Sequence, residues 1–173
     1  MSIPPIQLHW SEPVQYDKME KSNYPGFYCI MTYYLGKPSK LLYIGQSFSS
    51  SIKSRMADHK RKWLNKYNGT RISFAPLSYY DKVDLADVLC IENALIYAYQ
   101  PIENTQGIST LRPDFEDHLF MIKNTGSVPI KMKSSLNMAA LLDSYEPGTK
   151  KKRTTPRKST KNDDGYVFSG WRL

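Results

Sequence analysis

The sequence predicts an α+β fold, a small three-stranded antiparallel sheet flanked by helices in the order β-β-α-β-α over residues 24–107. Three observations predict it. Two apolar runs flank the turn-forming stretch Leu35-Gly36-Lys37-Pro38-Ser39, which reads as a hairpin. Two later segments repeat apolar residues at helical spacing behind good N-cap residues. The 173 residues, 40% hydrophobic and 23% charged, suffice to bury a core without disulfide staples.

Residues 1–23 contain Pro4, Pro5 and Pro13 with little periodicity and read as an N-terminal arm. Residues 24–34, rich in aromatics with Ile30, Met31 and Thr32, form the first strand, and residues 41–45 the second. Ser49, Ser50 or Ser51 caps a helix that runs to about Tyr67 and is stopped by Asn68-Gly69. Its apolar positions are Ile52, Met56, Trp63, Leu64 and Tyr67. Residues 71–77 alternate as a third strand. Asp84 then caps a strongly apolar helix over 85–99, closed by Pro101. Residues 108–148 read as a helical or irregular extension, with a short helix over 111–123 and another over 132–145. Residues 149–173 form a basic flexible tail whose aromatics Tyr166, Phe168 and Trp171 are suited to docking back on the body.

Composition excludes several classes. Cys29 and Cys90 cannot build a disulfide framework or a four-thiolate zinc site. No apolar run reaches about 18 residues, and residues 1–10 lack the pattern of a secretory signal, so a soluble intracellular protein is expected. The net charge of +8 suggests polyanionic partners. It is unevenly placed. Residues 150–161 carry +7, including Lys150, Lys151, Lys152 and Arg153, among Thr, Ser and Pro that cannot bury an apolar face. That run reads as a solubilising tail, a phosphate-tracking arm or a nuclear import signal. Residues 53–66 carry +5 within a predicted helix, through Lys53, Arg55, Lys60, Arg61, Lys62 and Lys66 against Asp58.

Chemistry concentrates on few residues. Glu92 falls on the apolar face of the second helix, three residues after Leu89 and three before Leu95. A carboxylate there is costly unless paired with a base such as Arg55 or bound to a cation. Arg55 and His59, four apart, share one face of the first helix. An arginine can clamp a phosphate bidentately, and a histidine beside it can move a proton. Tyr28 and Tyr43 lie on the hairpin strands, where tyrosines commonly serve packing alone.

These residues resemble a known family. Gly26-Phe27-Tyr28, followed fifteen residues later by Tyr43-Ile44-Gly45, resembles the paired motifs of the GIY-YIG nucleases, with Phe for Ile in the first. The likeness continues through Gln46-Ser47, Arg55, His59, Glu92 and Asn104, and covers about residues 24–107. It implies a metal-dependent DNA endonuclease that hydrolyses phosphodiester bonds. Glu92 would hold one Mg²⁺ (or Mn²⁺), a hard cation suited to a single carboxylate and several waters. Tyr28, assisted by Tyr43, would activate water, provided positive charge lowers a phenol pKa of about 10. Arg55 would hold the phosphate and His59 would assist proton transfer. Asn104 would support the site by hydrogen bonds, and Gly26 and Gly45 would permit close backbone approach. Lys53, Lys60, Arg61 and Lys62 on the helix, with the tail, would contact DNA, most simply double-stranded.

The compact layout is most similar to restriction-type members or to small standalone phage and bacterial proteins. A restriction-type enzyme would act as a homodimer or by successive nicks, in the cytoplasm of a bacterium, or in the nucleus if the host is eukaryotic. The alternative is a non-catalytic nucleic-acid-binding protein that keeps the fold, with Trp63, Tyr67, Tyr79 and Tyr80 stacking on bases. A weaker third possibility is a scaffold whose basic tail binds a partner.

Overall fold

A computed structural model describes residues 3–19, 25–48, 51–77 and 83–147. The basic run with Lys150, Lys151, Lys152 and Arg153, the aromatic C-terminus, Tyr79, Tyr80, Ser49 and Ser50 lie outside the described residues.

The fold is α+β, and its centre is the expected antiparallel sheet of three strands. These are β2 (Gly26–Tyr34), β3 (Lys37–Gln46) and β4 (Thr70–Pro76), with β1 (Pro5–Trp10) preceding them. The order β3-β2-β4 puts β2 in the middle. The hairpin loop is shorter than expected. Leu35 and Gly36 alone turn the chain, at φ 49° and 75°, and Lys37 already pairs with Tyr34. Two positive φ values give the primed turn that matches strand twist, so β3 can start at Lys37 with Pro38 on an edge strand.

The sheet lies between two layers. Helix α1 (Ile52–Lys62), capped by Ser51, covers one face, and helix α2 (Leu85–Tyr99), capped by a reciprocal Asp84/Asp87 box, covers the other. Strand alternation sorts β2 accordingly. Phe27, Cys29 and Met31 join the α2 core, while Tyr28 and Ile30 join the α1 core. Helix α1 ends at Lys62 rather than at Tyr67. Trp63 leaves helical backbone at φ −153°, and a single 3₁₀ turn at Leu64–Lys66 follows.

The larger differences from expectation are at the ends. The predicted N-terminal arm contains β1, with Ile6, Leu8 and Trp10 buried on alternate positions. The prolines obscured that alternation, but Pro5 is the first residue of the strand, where a missing N–H is tolerated. Strand β1 pairs in parallel with β5 (Met121–Gly126), where a helix over 111–123 was expected; only a 3₁₀ turn at Phe115–Asp117 precedes it. Strand β6 (Ser135–Asn137) pairs antiparallel with β5, and a short α3 (Met138–Asp143) replaces the longer helix expected over 132–145. The extension therefore adds a second, mixed sheet, β1-β5-β6, to its short helix and irregular segments.

After β1 the chain runs along the free edge of β4. Ser11 N–H donates to the Phe74 carbonyl (2.8 Å), and Val14 and Ile72 exchange backbone bonds (2.9 and 2.8 Å). Among the described residues, no helix is long and apolar enough to cross a membrane.

Candidate active site

Of the residues singled out by sequence, Tyr28, Tyr43, Arg55, His59, Glu92 and Asn104 gather around β3, where the α1 and α2 faces of the sheet adjoin. Tyr28 lies opposite Gly45, and Ile30 opposite Tyr43, so the two tyrosines are diagonal neighbours. A bulge decides that Tyr43 faces α1. Ile30 pairs with Tyr43 but Met31 pairs with Leu41, which leaves Leu42 as an extra residue. Leu42 and Tyr43 both then join the α1 side, although they are consecutive.

Gly45 is required by geometry. A Cβ there would come within 2.6 Å of the Tyr28 ring and hydroxyl and of the Tyr43 ring. Its absence lets the rings stack, at 6.0 Å between centroids and 22° between planes. At Gly26 a Cβ would meet the Ala75 carbonyl and approach the Phe74 ring to 2.7 Å.

His59 completes an aromatic cluster. Its Nε2 is 2.9 Å from the Tyr28 hydroxyl, and its ring lies 4.4 Å from Tyr43 and 5.2 Å from Trp63. Burial, then Arg55 and Lys62, lower the His59 pKa to about 4, partly opposed by Asp58. The imidazole is therefore neutral near pH 7. Burial raises the Tyr28 pKa, with Tyr43 and Glu92 adding to it and Arg55 opposing; Tyr43 is raised chiefly by burial too. The expected lowering of the phenol pKa by positive charge is thus outweighed, because burial penalises the phenolate more than Arg55 favours it.

Glu92 projects from α2 to the same edge, and its Oε1 accepts the Gln46 N–H (3.0 Å). Burial raises its pKa to about 7 despite that hydrogen bond and the nearby Arg55 and Arg112. Glu92 and Arg55 influence each other but form no direct ion pair among the described residues, whose ion pairs lie elsewhere. Arg55 Nε is buried without a hydrogen-bond partner among the described residues, an unusual state for a strong donor.

Asn104 is a brace. Its Oδ1 accepts the Ile44 N–H and its Nδ2 donates to the Ile44 carbonyl, both at 2.9 Å, as a neighbouring strand would. With Glu103 N–H on the Leu42 carbonyl (2.7 Å), it closes an edge that would otherwise be open. Tyr67 donates to the Glu103 carboxylate and ties this segment to the end of α1.

The basic face of α1 is partly engaged. Arg61 pairs with Asp58, and Lys60 lies over the Tyr16 ring at 5.6 Å. Lys53, Lys60, Arg61 and Lys62 are all exposed.

Sequence reasoning did not single out Gln46 N–H as the anchor of Glu92, nor Arg112. A backbone donor leaves no mark in a sequence, and Arg112 lies beyond residue 107, outside the stretch that carries the resemblance. Away from this edge, Asp84, Asp87 and His118 bring potential ligand atoms within 4.8 Å of one another. The two carboxylates already form the α2 cap, and His118 Nδ1 donates to Asp87 (2.8 Å).

Compared with protein-family models, with curated proteins and with solved structures, the chain matches none.

Proposed function

We propose that the protein is a metal-dependent DNA endonuclease of GIY-YIG type, possessing one active site at the β3 edge. One observation carries this: Tyr28, Tyr43, Arg55, His59 and Glu92 come from four different elements and interact at one place, each bearing a group suited to phosphodiester hydrolysis. The donor set fits a hard cation. Glu92 spends Oε1 on Gln46, and Oε2 has no hydrogen bond among the described residues, as a monodentate ligand retaining several waters requires. Mg²⁺ or Mn²⁺ held by Glu92 would supply Lewis-acid stabilisation of charge on the scissile phosphate.

The chain's own groups would do the rest. The guanidinium of Arg55 would offset charge on the phosphate in the transition state, its Nε buried without a partner among the described residues. A phenol held protonated is a poor free base but a good relay. Tyr28 would take the proton of the attacking water as its own proton passes to neutral His59 Nε2, 2.9 Å away. Trp63 and Tyr43 would hold the imidazole in place. Cutting both strands of a duplex calls for a homodimer or two successive nicks. A restriction-type role and a cytoplasmic setting in a bacterium or phage, nuclear in a eukaryote, follow from the resemblance alone.

Supercoiled plasmid with Mg²⁺ or EDTA tests this. Metal-dependent nicking by the wild type, lost in Glu92→Ala and Tyr28→Phe, is expected; variants that cut as fast as wild type would overturn the site. A second reading, a non-catalytic nucleic-acid binder, draws support from the high Tyr28 pKa. Retarded mobility without breakage in both conditions would favour it.

A further inference from the structure

A groove of about 400 Å³ opens between α2 and the chain that follows it, continuous with the site through Tyr43, Glu92 and Asn104. We infer that this groove receives a nucleobase of the bound strand, unstacked from its neighbours, beside the scissile phosphate. The inference rests on the nuclease reading above. The groove's size lies within the roughly 300–1,000 Å³ of small-ligand sites.

Its lining has two characters. Leu89, Ile96 and Leu111 give it apolar lining, and Glu103, Thr105, Gln106 and Arg112 give it a polar rim, of which Thr105 and Gln106 are exposed. A base has the matching surfaces, an apolar face and a hydrogen-bonding edge. A phosphate matches poorly. Arg112 is the groove's cation, and Asp114 already holds it at both ends, Nε to Oδ1 at 2.9 Å and Nη2 to Oδ2 at 2.8 Å. Glu92 and Glu103 would repel a second anion.

The rim also offers donors and acceptors. Thr105 and Gln106 are exposed, and their side chains make no hydrogen bond among the described residues.

The wall is fixed to α2 rather than loosely draped. Buried Asn93 donates through Nδ2 to the Thr110 carbonyl (3.1 Å) and accepts the Arg112 N–H through Oδ1 (2.8 Å). Gln100 Nε2 donates to the Ile108 carbonyl (2.6 Å). Gly107, at φ 72°, passes so close to Asn93 that a Cβ would lie 2.7 Å from its amide nitrogen. A preformed groove of this kind costs the ligand little ordering.

The test uses the full chain and an end-labelled duplex containing a position the wild type cuts. The nucleoside on each side of the scissile phosphate is replaced in turn by an abasic residue, and kcat/KM is measured for wild type and for Thr105→Ala/Gln106→Ala, whose exposed positions leave the fold undisturbed. The expected result is a loss of about tenfold for the abasic substrate on one side only. The double variant should lose a similar factor on intact DNA and nothing further on that abasic substrate. Equal rates on abasic and intact DNA, or losses that simply multiply, would overturn the groove as a base site while leaving the nuclease standing. Absence of metal-dependent cleavage by the wild type would overturn both.

Discussion

On the α2 face of the central sheet, Phe27, Cys29 and Met31 share a core with Ile91, Ala94 and Leu95, and all six are fully buried. On the α1 face, Tyr28, Ile30 and Leu42 share a core with Ile52 and Met56, but that layer gives way to His59, Arg55 and the ring of Tyr43. Both faces belong to the same strands. The six side chains named on the first gain by leaving water, whereas the second also buries a phenol, an imidazole and a guanidinium nitrogen held away from their preferred ionisation or partners. One face therefore supplies stability, and the other spends some of it holding polar groups ready.

The sharpest way to break the comparison is at its seam. Glu92→Gln keeps the acceptor for Gln46 N–H but removes the anion, so metal-dependent cleavage should fall about 10³-fold or more. The urea midpoint should stay within the change expected for about 1 kcal/mol; a variant that unfolds would place Glu92 with the core instead. The converse substitution is Leu95→Ala on the α2 face, expected to cost about 2–5 kcal/mol in urea unfolding. The folded fraction should retain the wild-type cleavage rate.

Asn104→Ala sits between these limits. It leaves the buried Ile44 N–H and carbonyl unpaired, which should cost about 1–3 kcal/mol. Cleavage should fall as well, because β3 carries Tyr43 and the anchor of Glu92. The last effect concerns His59 and is confined to acid pH. Its folded pKa of about 4 lies below its unfolded value near 6.5, so the unfolded chain binds more protons between those values. Stability should decline as pH falls from 6.5 towards 4, and His59→Asn should flatten that part of the curve measured by thermal melting. An unchanged slope in the variant would remove His59 as its cause.

Much of the site was legible because it depends on local patterns. Helix periodicity placed Glu92 on an apolar face, and the i,i+4 spacing joined Arg55 to His59. The hairpin put Tyr28 near Tyr43. The bulge at Leu42 that turns Tyr43 toward α1 has no such signature. The Asn104 bridge to Ile44 spans 60 residues. The second sheet was missed for the same reason. Strands β1 and β5 stabilise each other only when paired, yet Ile6 and Ile122 are 116 positions apart, and neither run looks convincing alone.

What the sequence determined by itself was the β-β-α-β-α core with the caps of its two helices, and the identity of the groups able to do chemistry. These follow from short-range sterics and periodicity, which act within a few residues. What only the tertiary structure decided was how those groups are charged and where they converge. The phenol of Tyr28 is pushed up and the imidazole of His59 down because packing removes water from both. Glu92 is held at the β3 edge because a backbone N–H of that strand, 46 residues earlier, donates to it.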